Sequence, residues 1–225
     1  MTQEVAVVGE LTLTGRVTLT KLVAAPGKRH FSIGLNRQRP FYASSTVVDK
    51  LELRYFLLTG GDVTGQNPPG NGGSLILYQE YSKVIASNCW FYENSAASGG
   101  SISGHGSASL ELESSNITSC EAVTKDVGGG GAIAFIGLGS GSSPILSISD
   151  VLIAENMAAE FGGGIYFLFA HVRLLQQLDI RNNSAHSGGG ITLQSTRIND
   201  GDRIRFRYNR AAHKGGAMEV FNGNE

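Results

Sequence analysis

The 225-residue sequence has few of the residues that mark several common classes of protein. Its 2 cysteines cannot form a disulfide framework, and we expect Cys89 and Cys120 to be buried free thiols. Its 5 prolines argue against a collagen-like or a disordered Pro/Gly-rich chain. No apolar run approaches the roughly 18–20 residues of a membrane span, and the first residues lack the basic start and apolar core of a signal peptide. We therefore predict no membrane span in this chain.

Charged residues are also scarce, at 16% of the chain, and the formal net charge is −1. This balance argues against a general nucleic-acid binder. The charge is unevenly distributed: residues 1–50 carry 7 basic and 3 acidic residues, residues 51–170 carry 3 and 11, and residues 171–225 carry 8 and 5. Such an order allows contacts between the ends and the middle of the chain, although ordinary surface variation explains it more simply.

Glycine is the residue in excess, at 31 of 225, which is about twice its average share. Many glycines occur as a pair that is followed by a small residue and an aliphatic one. The pairs begin at Gly72, Gly99, Gly130, Gly162, Gly188 and Gly215. The intervals between them are 27, 31, 32, 26 and 27 residues, so the chain contains an internal repeat.

Other residues keep a fixed distance from each glycine pair and so form columns. An aromatic or aliphatic residue is followed three places later by asparagine, and an aliphatic residue follows the glycines. The first column is Leu58, Phe91, Ile117, Ile153, Ile180 and Phe206. The second is Asn94, Asn156, Asn183 and Asn209, with Cys120 in the remaining place. The third is Leu75, Ile102, Ile133, Ile165, Ile191 and Met218.

A repeat of roughly 27 residues is too short to bury a core of its own, so neighbouring units must stack. Period-two stretches such as LTLTGRVTLT favour strands over helices, and we expect a strand at 170–177 as well. The sequence therefore predicts an all-β, single-stranded parallel solenoid of about eight coils, on the order of 40 Å long at ~4.8 Å per coil. Residues 51–225 form the regular repeats of one continuous domain, and residues 1–50 form irregular starting coils. Because no capping segment follows the last repeat, we expect this domain to be part of a longer chain or covered by a partner.

Each repeated residue type has a structural role in such a coil. The aliphatic columns face the core, and the glycines allow a positive φ or a close backbone approach at a corner. Asparagine tolerates a left-handed corner, and its amide can hydrogen-bond to the asparagine of the next coil. These roles predict that the repeated residues are structural.

The columns resemble the repeats of chlamydial polymorphic outer-membrane proteins. The Phe-x-x-Asn element stands at Phe91–Asn94 and Phe206–Asn209, and Gly-Gly-Ala-Ile stands at Gly130, Gly131, Ala132 and Ile133. The resemblance covers about residues 51–221 and implies a right-handed parallel β-helix. In that family such rods are passenger regions of surface proteins and are associated with adhesion. The resemblance therefore implies an extracellular or cell-surface location.

Parallel β-helices also include polysaccharide lyases and hydrolases, whose sites need clustered carboxylates. On a solenoid such a cluster would occupy one column in neighbouring coils. Glu111 and Glu113 share a strand but have no acidic neighbours above or below them. Asp179 shares a column with Arg205, and we expect the two side chains to form a surface ion pair. We therefore predict that the chain is not an enzyme and needs no cofactor.

Two groups of residues are candidates for ligand binding. Glu160, His186 and His213 stand two places before the glycine pair on successive coils, and two imidazoles with a carboxylate can bind Zn²⁺. The alternative is an exposed corner that tolerates polar residues. Trp90 and Tyr92 flank a core residue and should point outward, where exposed aromatic rings can stack on a glycan. An incidental aromatic patch or a protein contact is the alternative.

Arginines form a third candidate site. Arg181 and Arg207 share a column and Arg205 lies nearby, so a bound anion or acidic partner is one interpretation and a solvated basic face is the other. Taken together, the sequence favours a non-catalytic rod for adhesion, surface display or scaffolding, with a protein partner or larger assembly. The alternative is a carbohydrate-binding or carbohydrate-active β-helix.

Overall fold

The computed structural model describes residues 22–23, 31–34, 41–44, 50–64, 70–78, 83–125, 128–139 and 143–222. Most of the irregular coils predicted for residues 1–50 lie outside these ranges. Every regular element in the described part is a β-strand, so the all-β prediction is confirmed. None of the described residues belongs to a helix that could cross a membrane.

The described residues form 24 short strands, and most of these have two to five residues. In chain order they are β1 (Leu22–Val23), β2 (Phe31–Gly34), β3 (Phe41–Ser44), β4 (Lys50–Arg54), β5 (Phe56–Thr59), β6 (Leu75–Tyr78), β7 (Lys83–Ser87), β8 (Trp90–Tyr92), β9 (Ser95–Ala96), β10 (Ile102–His105), β11 (Ser109–Thr118), β12 (Glu121–Ala122), β13 (Ile133–Ile136), β14 (Ile145–Ala154), β15 (Met157–Ala158), β16 (Ile165–Leu168), β17 (His171–Arg181), β18 (Ser184–Ser187), β19 (Ile191–Gln194), β20 (Arg197–Ile198), β21 (Gly201–Asp202), β22 (Arg205–Arg207), β23 (Arg210–Lys214) and β24 (Met218–Phe221). The segment at 170–177 that was expected to be a strand falls largely within β17.

The strands form three sheets, and the chain returns to each of them in turn. A twelve-stranded sheet contains the long strands β11, β14 and β17, a seven-stranded sheet runs from β3 to β24, and a five-stranded sheet runs from β9 to β23. Neighbouring strands pair in parallel, as β10 does with β13 and β14 does with β17. The predicted parallel arrangement is therefore present in all three sheets.

The pairing register coincides with the columns seen in the sequence. Phe91 pairs with Leu58 on one side and with Ile117 on the other. Ile133 likewise lies between Ile102 and Ile165. Because side chains alternate along a strand, this register turns the whole apolar set to one side of every sheet.

The apolar columns meet in one continuous core. Phe91, Phe135 and Phe167 are fully buried, and the rings of Phe135 and Phe167 pack edge to face with centroids 6.4 Å apart. Full burial of each such side chain contributes about 1.5–3 kcal/mol to the stability of the fold. At the last strands the same columns reach the surface: Met218 is 41% and Val220 64% exposed, against 1% for Ile191 and 5% for Leu193.

In the pairs that begin at Gly72, Gly99, Gly130, Gly162 and Gly188, the two glycines are needed for two different reasons. The first takes a left-handed conformation, as at Gly162 with φ 58°, which glycine adopts without the steric cost of a Cβ atom. The second lies against backbone atoms of its neighbours: a Cβ atom added at Gly163 would meet the carbonyl oxygens of Gly189 and Ser184. Both predicted roles of glycine are therefore present, one at each position of the pair.

The predicted left-handed asparagine corner is wrong by one position. The positive φ belongs to the residue before each column position, at Glu93, Ser119, Glu155, Asn182 and Tyr208. This left-handed residue turns the chain, and the column asparagine that follows it points its side chain into the stack. Asn94, Asn156 and Asn183 are therefore buried.

The buried asparagines form the predicted ladder. Asn156 donates from Nδ2 to Oδ1 of Asn183 at 3.0 Å, and Asn183 donates in the same way to Asn209 at 3.0 Å. Each Nδ2 also donates to a backbone carbonyl of the preceding repeat, as from Asn156 to Ile117 at 3.1 Å. The ladder thus satisfies backbone groups at a corner where no strand pairing can do so.

Cys120 interrupts the ladder, which gives a testable prediction. Its Sγ lies 3.9 Å from Nδ2 of Asn94, so the contact is weak, although its backbone N–H still donates to Oδ1 of Asn156 at 3.0 Å. Asparagine here would accept from Asn94 and donate to the Phe91 carbonyl. We expect Cys120→Asn to raise the free energy of unfolding by about 1 kcal/mol, and Cys120→Ala to lower it. Urea unfolding checks this, and a less stable Cys120→Asn variant would contradict the ladder geometry.

Candidate functional site

An aromatic pair stands on the outer face of β8. Trp90 is 37% exposed, and its ring centroid lies 5.7 Å from that of Tyr92 at an interplanar angle of 51°. Because the two residues flank the buried Phe91, strand alternation turns both of them outward, as the sequence predicted. The Trp90 indole N–H donates to Oγ1 of Thr118 at 2.9 Å, which fixes the ring in place.

The surroundings of this pair are acidic. A hydrogen bond and the charge of Glu93 raise the pKa of Tyr92, and the charge of Glu155 adds to this effect. The phenol therefore stays neutral and keeps its O–H donor at physiological pH. An outward aromatic surface with hydroxyl and carboxylate neighbours can contact the face and the hydroxyls of a sugar ring.

A second candidate surface is the arginine face, which comprises Arg181, Arg203, Arg205 and Arg207. Arg181 pairs in register with Arg207, and Asp179 pairs with Arg205, as the columns predicted. The predicted Asp179–Arg205 ion pair is wrong, since Asp179 binds Arg207 instead. Arg207 donates to the Asp179 carboxylate from Nε at 3.3 Å and from Nη2 by a shorter contact. This two-point contact is favoured over a pair with Arg205, the residue directly opposite Asp179. The same contact raises the pKa of Arg207.

A groove of about 210 Å³ opens beside the arginine face. It is lined by Gln177, Leu178, Asp179, Arg203 and Arg205. Gln177 and Arg203 both have a positive φ, 54° and 53°, where the chain bends within the twelve-stranded sheet. These bends set the groove between two strands of the sheet.

The predicted metal site is not assembled. His186 and His213 do lie together, with ring centroids 5.4 Å apart, but their planes differ by only 7° and the rings are stacked. An imidazole binds a metal in the plane of its ring, so two stacked rings cannot both direct a nitrogen at one ion. Within the part of the chain that the structure describes, no group of three or more metal-binding side chains is arranged to hold an ion, and Glu160 does not complete one.

The two cysteines are free and buried, as predicted. Burial raises the pKa of the Cys89 thiol to about 11 and that of Cys120 to about 12. Both thiols therefore remain protonated near neutral pH. A protonated and buried thiol is a poor nucleophile and metal ligand, so these residues contribute packing and no chemistry.

Sequence reasoning missed a larger cavity near the turn between β16 and β17. It has a volume of about 490 Å³ and is lined by Gly139, Ser143, Ile145, Phe169, Ala170, His171, Ser195 and Arg197. Phe169 has a φ of 49° there, and Nε2 of His171 is buried without a hydrogen-bond partner. None of the repeated sequence columns predicts this cavity, because the cavity depends on the shape of a single turn and not on a repeated residue.

Comparison of the chain with protein-family models, with curated proteins and with solved structures gave no significant match.

Proposed function

We propose that the chain is a right-handed, single-stranded parallel β-helix of about eight coils of roughly 27 residues. Three kinds of observation support this: the parallel pairing, the return of the chain to each sheet in turn, and the in-register columns. The connection between two parallel strands of one sheet is right-handed in about 98% of cases, which supports a right-handed helix here. The resemblance to the chlamydial repeats gives the same fold.

On this rod we propose a non-catalytic role in adhesion, surface display or scaffolding within a larger assembly, outside the cell or on its surface. The observation that carries the proposal is the division of the sequence between its two faces. The repeated residues face the core or the ladder, whereas the outward residues differ from coil to coil, as in the series Trp90, Asn116, Leu152, Asp179 and Arg205. A constant core with a variable surface suits a scaffold that presents several different contacts.

A further observation supports a non-catalytic role. The strand carboxylate Glu111 forms an ion pair with Lys83 at 2.6 Å, so it serves the surface rather than a catalytic pair.

Carbohydrate binding is the second candidate function, and the outward Trp90–Tyr92 pair is the observation that favours it. We expect Trp90→Ala to abolish binding to a glycan array if this pair stacks on sugar. Tyr208→Asn is the matched control, because Tyr208 is an 80% exposed aromatic residue elsewhere and asparagine tolerates its φ of 56°. A glycan signal that Trp90→Ala removes and Tyr208→Asn leaves intact supports the second function. Capture of a partner protein by the wild-type chain without any glycan signal supports the first.

A further inference from the structure

The arginine face concentrates positive charge at one place on the surface. Arg203, Arg205 and Arg207 alternate along the chain with Ile204 and Phe206, which pack against the core. Arg205 and Arg207 therefore project from the same side of β22, with Cα atoms about 6.8 Å apart, and Arg203 lies at the bend just before this strand. Like charges gathered in this way repel one another unless carboxylates or a bound anion lie among them.

Two of these cations are already paired and two are not. Arg207 is held by Asp179, and Arg203 is held by Asp202 at 3.0 Å. Among the residues that the structure describes, Arg181 and Arg205 have no carboxylate partner. Arg205 lines the groove, so its five N–H donors are available to a group bound there.

The other groove residues add neutral and acidic hydrogen-bonding groups. Gln177 is exposed and offers an amide that both donates and accepts. The Asp179 carboxylate contacts Arg207 but keeps further lone pairs, because an ionised carboxylate has about four acceptor sites. A simple anion would use only the arginines, whereas a ligand with an anionic group and several hydroxyls would use all of these side chains.

We propose that this groove binds a sugar that carries a carboxylate or a sulfate group. The anionic group contacts Arg205 and Arg203, and the ring hydroxyls contact Gln177 and Asp179. The volume of about 210 Å³ leaves room for a single ring, with the rest of the chain lying along the arginine face. This inference goes beyond the proposed rod and is separate from the Trp90–Tyr92 surface.

The first test measures the affinity of the full chain by isothermal titration calorimetry for a heparin-derived tetrasaccharide, a hyaluronan tetrasaccharide and uncharged maltotetraose. We expect one or both acidic tetrasaccharides to bind, with affinity falling as salt rises, and maltotetraose to bind far less. Binding of the hyaluronan tetrasaccharide, whose anionic groups are all carboxylates, shows that a carboxylate is sufficient, whereas binding of the heparin-derived tetrasaccharide alone assigns recognition to its sulfate groups. Arg205→Gln should weaken binding at least about tenfold, because a charge-assisted hydrogen bond is lost. Arg173→Gln, which alters an exposed arginine elsewhere on β17, should leave the affinity unchanged.

A second variant separates recognition of a sugar from attraction of any polyanion. Gln177→Asn shortens the amide while tolerating the φ of 54°, so it should weaken tetrasaccharide binding and leave binding of poly-glutamate unchanged. Poly-glutamate binding as tight as that of the tetrasaccharides would overturn the proposal in favour of an acidic-peptide surface. No effect of Arg205→Gln, or no binding of either acidic tetrasaccharide, would also overturn it. Trp90→Ala should not alter the affinity for the acidic tetrasaccharides. An unchanged circular-dichroism spectrum in every variant shows that the fold is intact. Failure of the groove to bind an acidic sugar is therefore distinguishable from failure of the proposed rod.

Discussion

Asn183→Ala is expected to lower the free energy of unfolding by about 3–5 kcal/mol, because it leaves several buried polar groups without partners. Asn183 is fully buried at the centre of the ladder. Its Oδ1 accepts from the backbone N–H and from Nδ2 of Asn156, both at 3.0 Å. Its Nδ2 donates to the Ile153 carbonyl at 2.9 Å and to Oδ1 of Asn209 at 3.0 Å. Alanine removes all four hydrogen bonds at a corner that is closed to solvent in the wild-type protein.

Asn116→Ala is the matched control for this substitution. Asn116 is exposed on the outer face of β11, so its replacement should change the free energy of unfolding by no more than about 0.5 kcal/mol. Urea unfolding followed by far-ultraviolet circular dichroism measures both variants. Equal effects of the two substitutions would mean that the ladder contributes nothing specific and that the corner is held by strand pairing alone.

Gly163→Ala is expected to be similarly severe, at about 3 kcal/mol or more, because overpacking against backbone cannot be relieved by a rotamer change. The added Cβ would lie 2.5 Å from the carbonyl oxygen and 2.6 Å from the carbonyl carbon of Ser184, and close to the carbonyl oxygen of Gly189. Nonbonded heavy atoms reach their optimum at roughly 3.5 Å, so the stacked corners must move apart. That movement would lengthen backbone hydrogen bonds such as the one from the Gly163 N–H to the Gly188 carbonyl, at 3.1 Å.

Gly201→Ala provides the comparison. The nearest atoms to a Cβ atom at Gly201 are 3.9 and 4.0 Å away, which is ordinary contact. Alanine also has the lower conformational entropy in the unfolded chain, so this variant should be as stable as wild type or slightly more so. Thermal unfolding of both variants tests this prediction. If Gly163→Ala and Gly201→Ala had the same melting temperature, the glycine pair would not mark close backbone packing.

The strand columns could be predicted because a repeated residue in a stack has the same neighbours in every unit. Ile133 and Ile165 occupy equivalent positions in sequence and lie side by side in the seven-stranded sheet. The glycine pair was predictable for the same reason, since only glycine fits both of its positions. A pattern repeated along the chain therefore indicates which residues pair in the sheets, even before any interatomic distance is known.

The features that were missed depend on the geometry of individual side chains. Sequence placed Asp179 opposite Arg205, but the two-point contact that Arg207 makes with Asp179 decides the ion pair. It placed His186 and His213 in one column but could not show that their rings stack in parallel planes. It also assigned the left-handed corner to asparagine, although Glu93 and Tyr208 show that the preceding residue takes this conformation whatever its type.

The most direct test of the account measures one distance across the stack. Lys83, Ser109, Ile145, His171 and Arg197 follow one another in register across five strands of the twelve-stranded sheet. Nitroxide labels at Lys83→Cys and Arg197→Cys should therefore be separated by about 19 Å, four strand spacings, in a double electron–electron resonance experiment. The native thiols are buried, and their pKa values of about 11 and about 12 keep them from taking the label. A narrow distribution near this distance is predicted, and a broad distribution or one centred far above it would contradict the parallel stack.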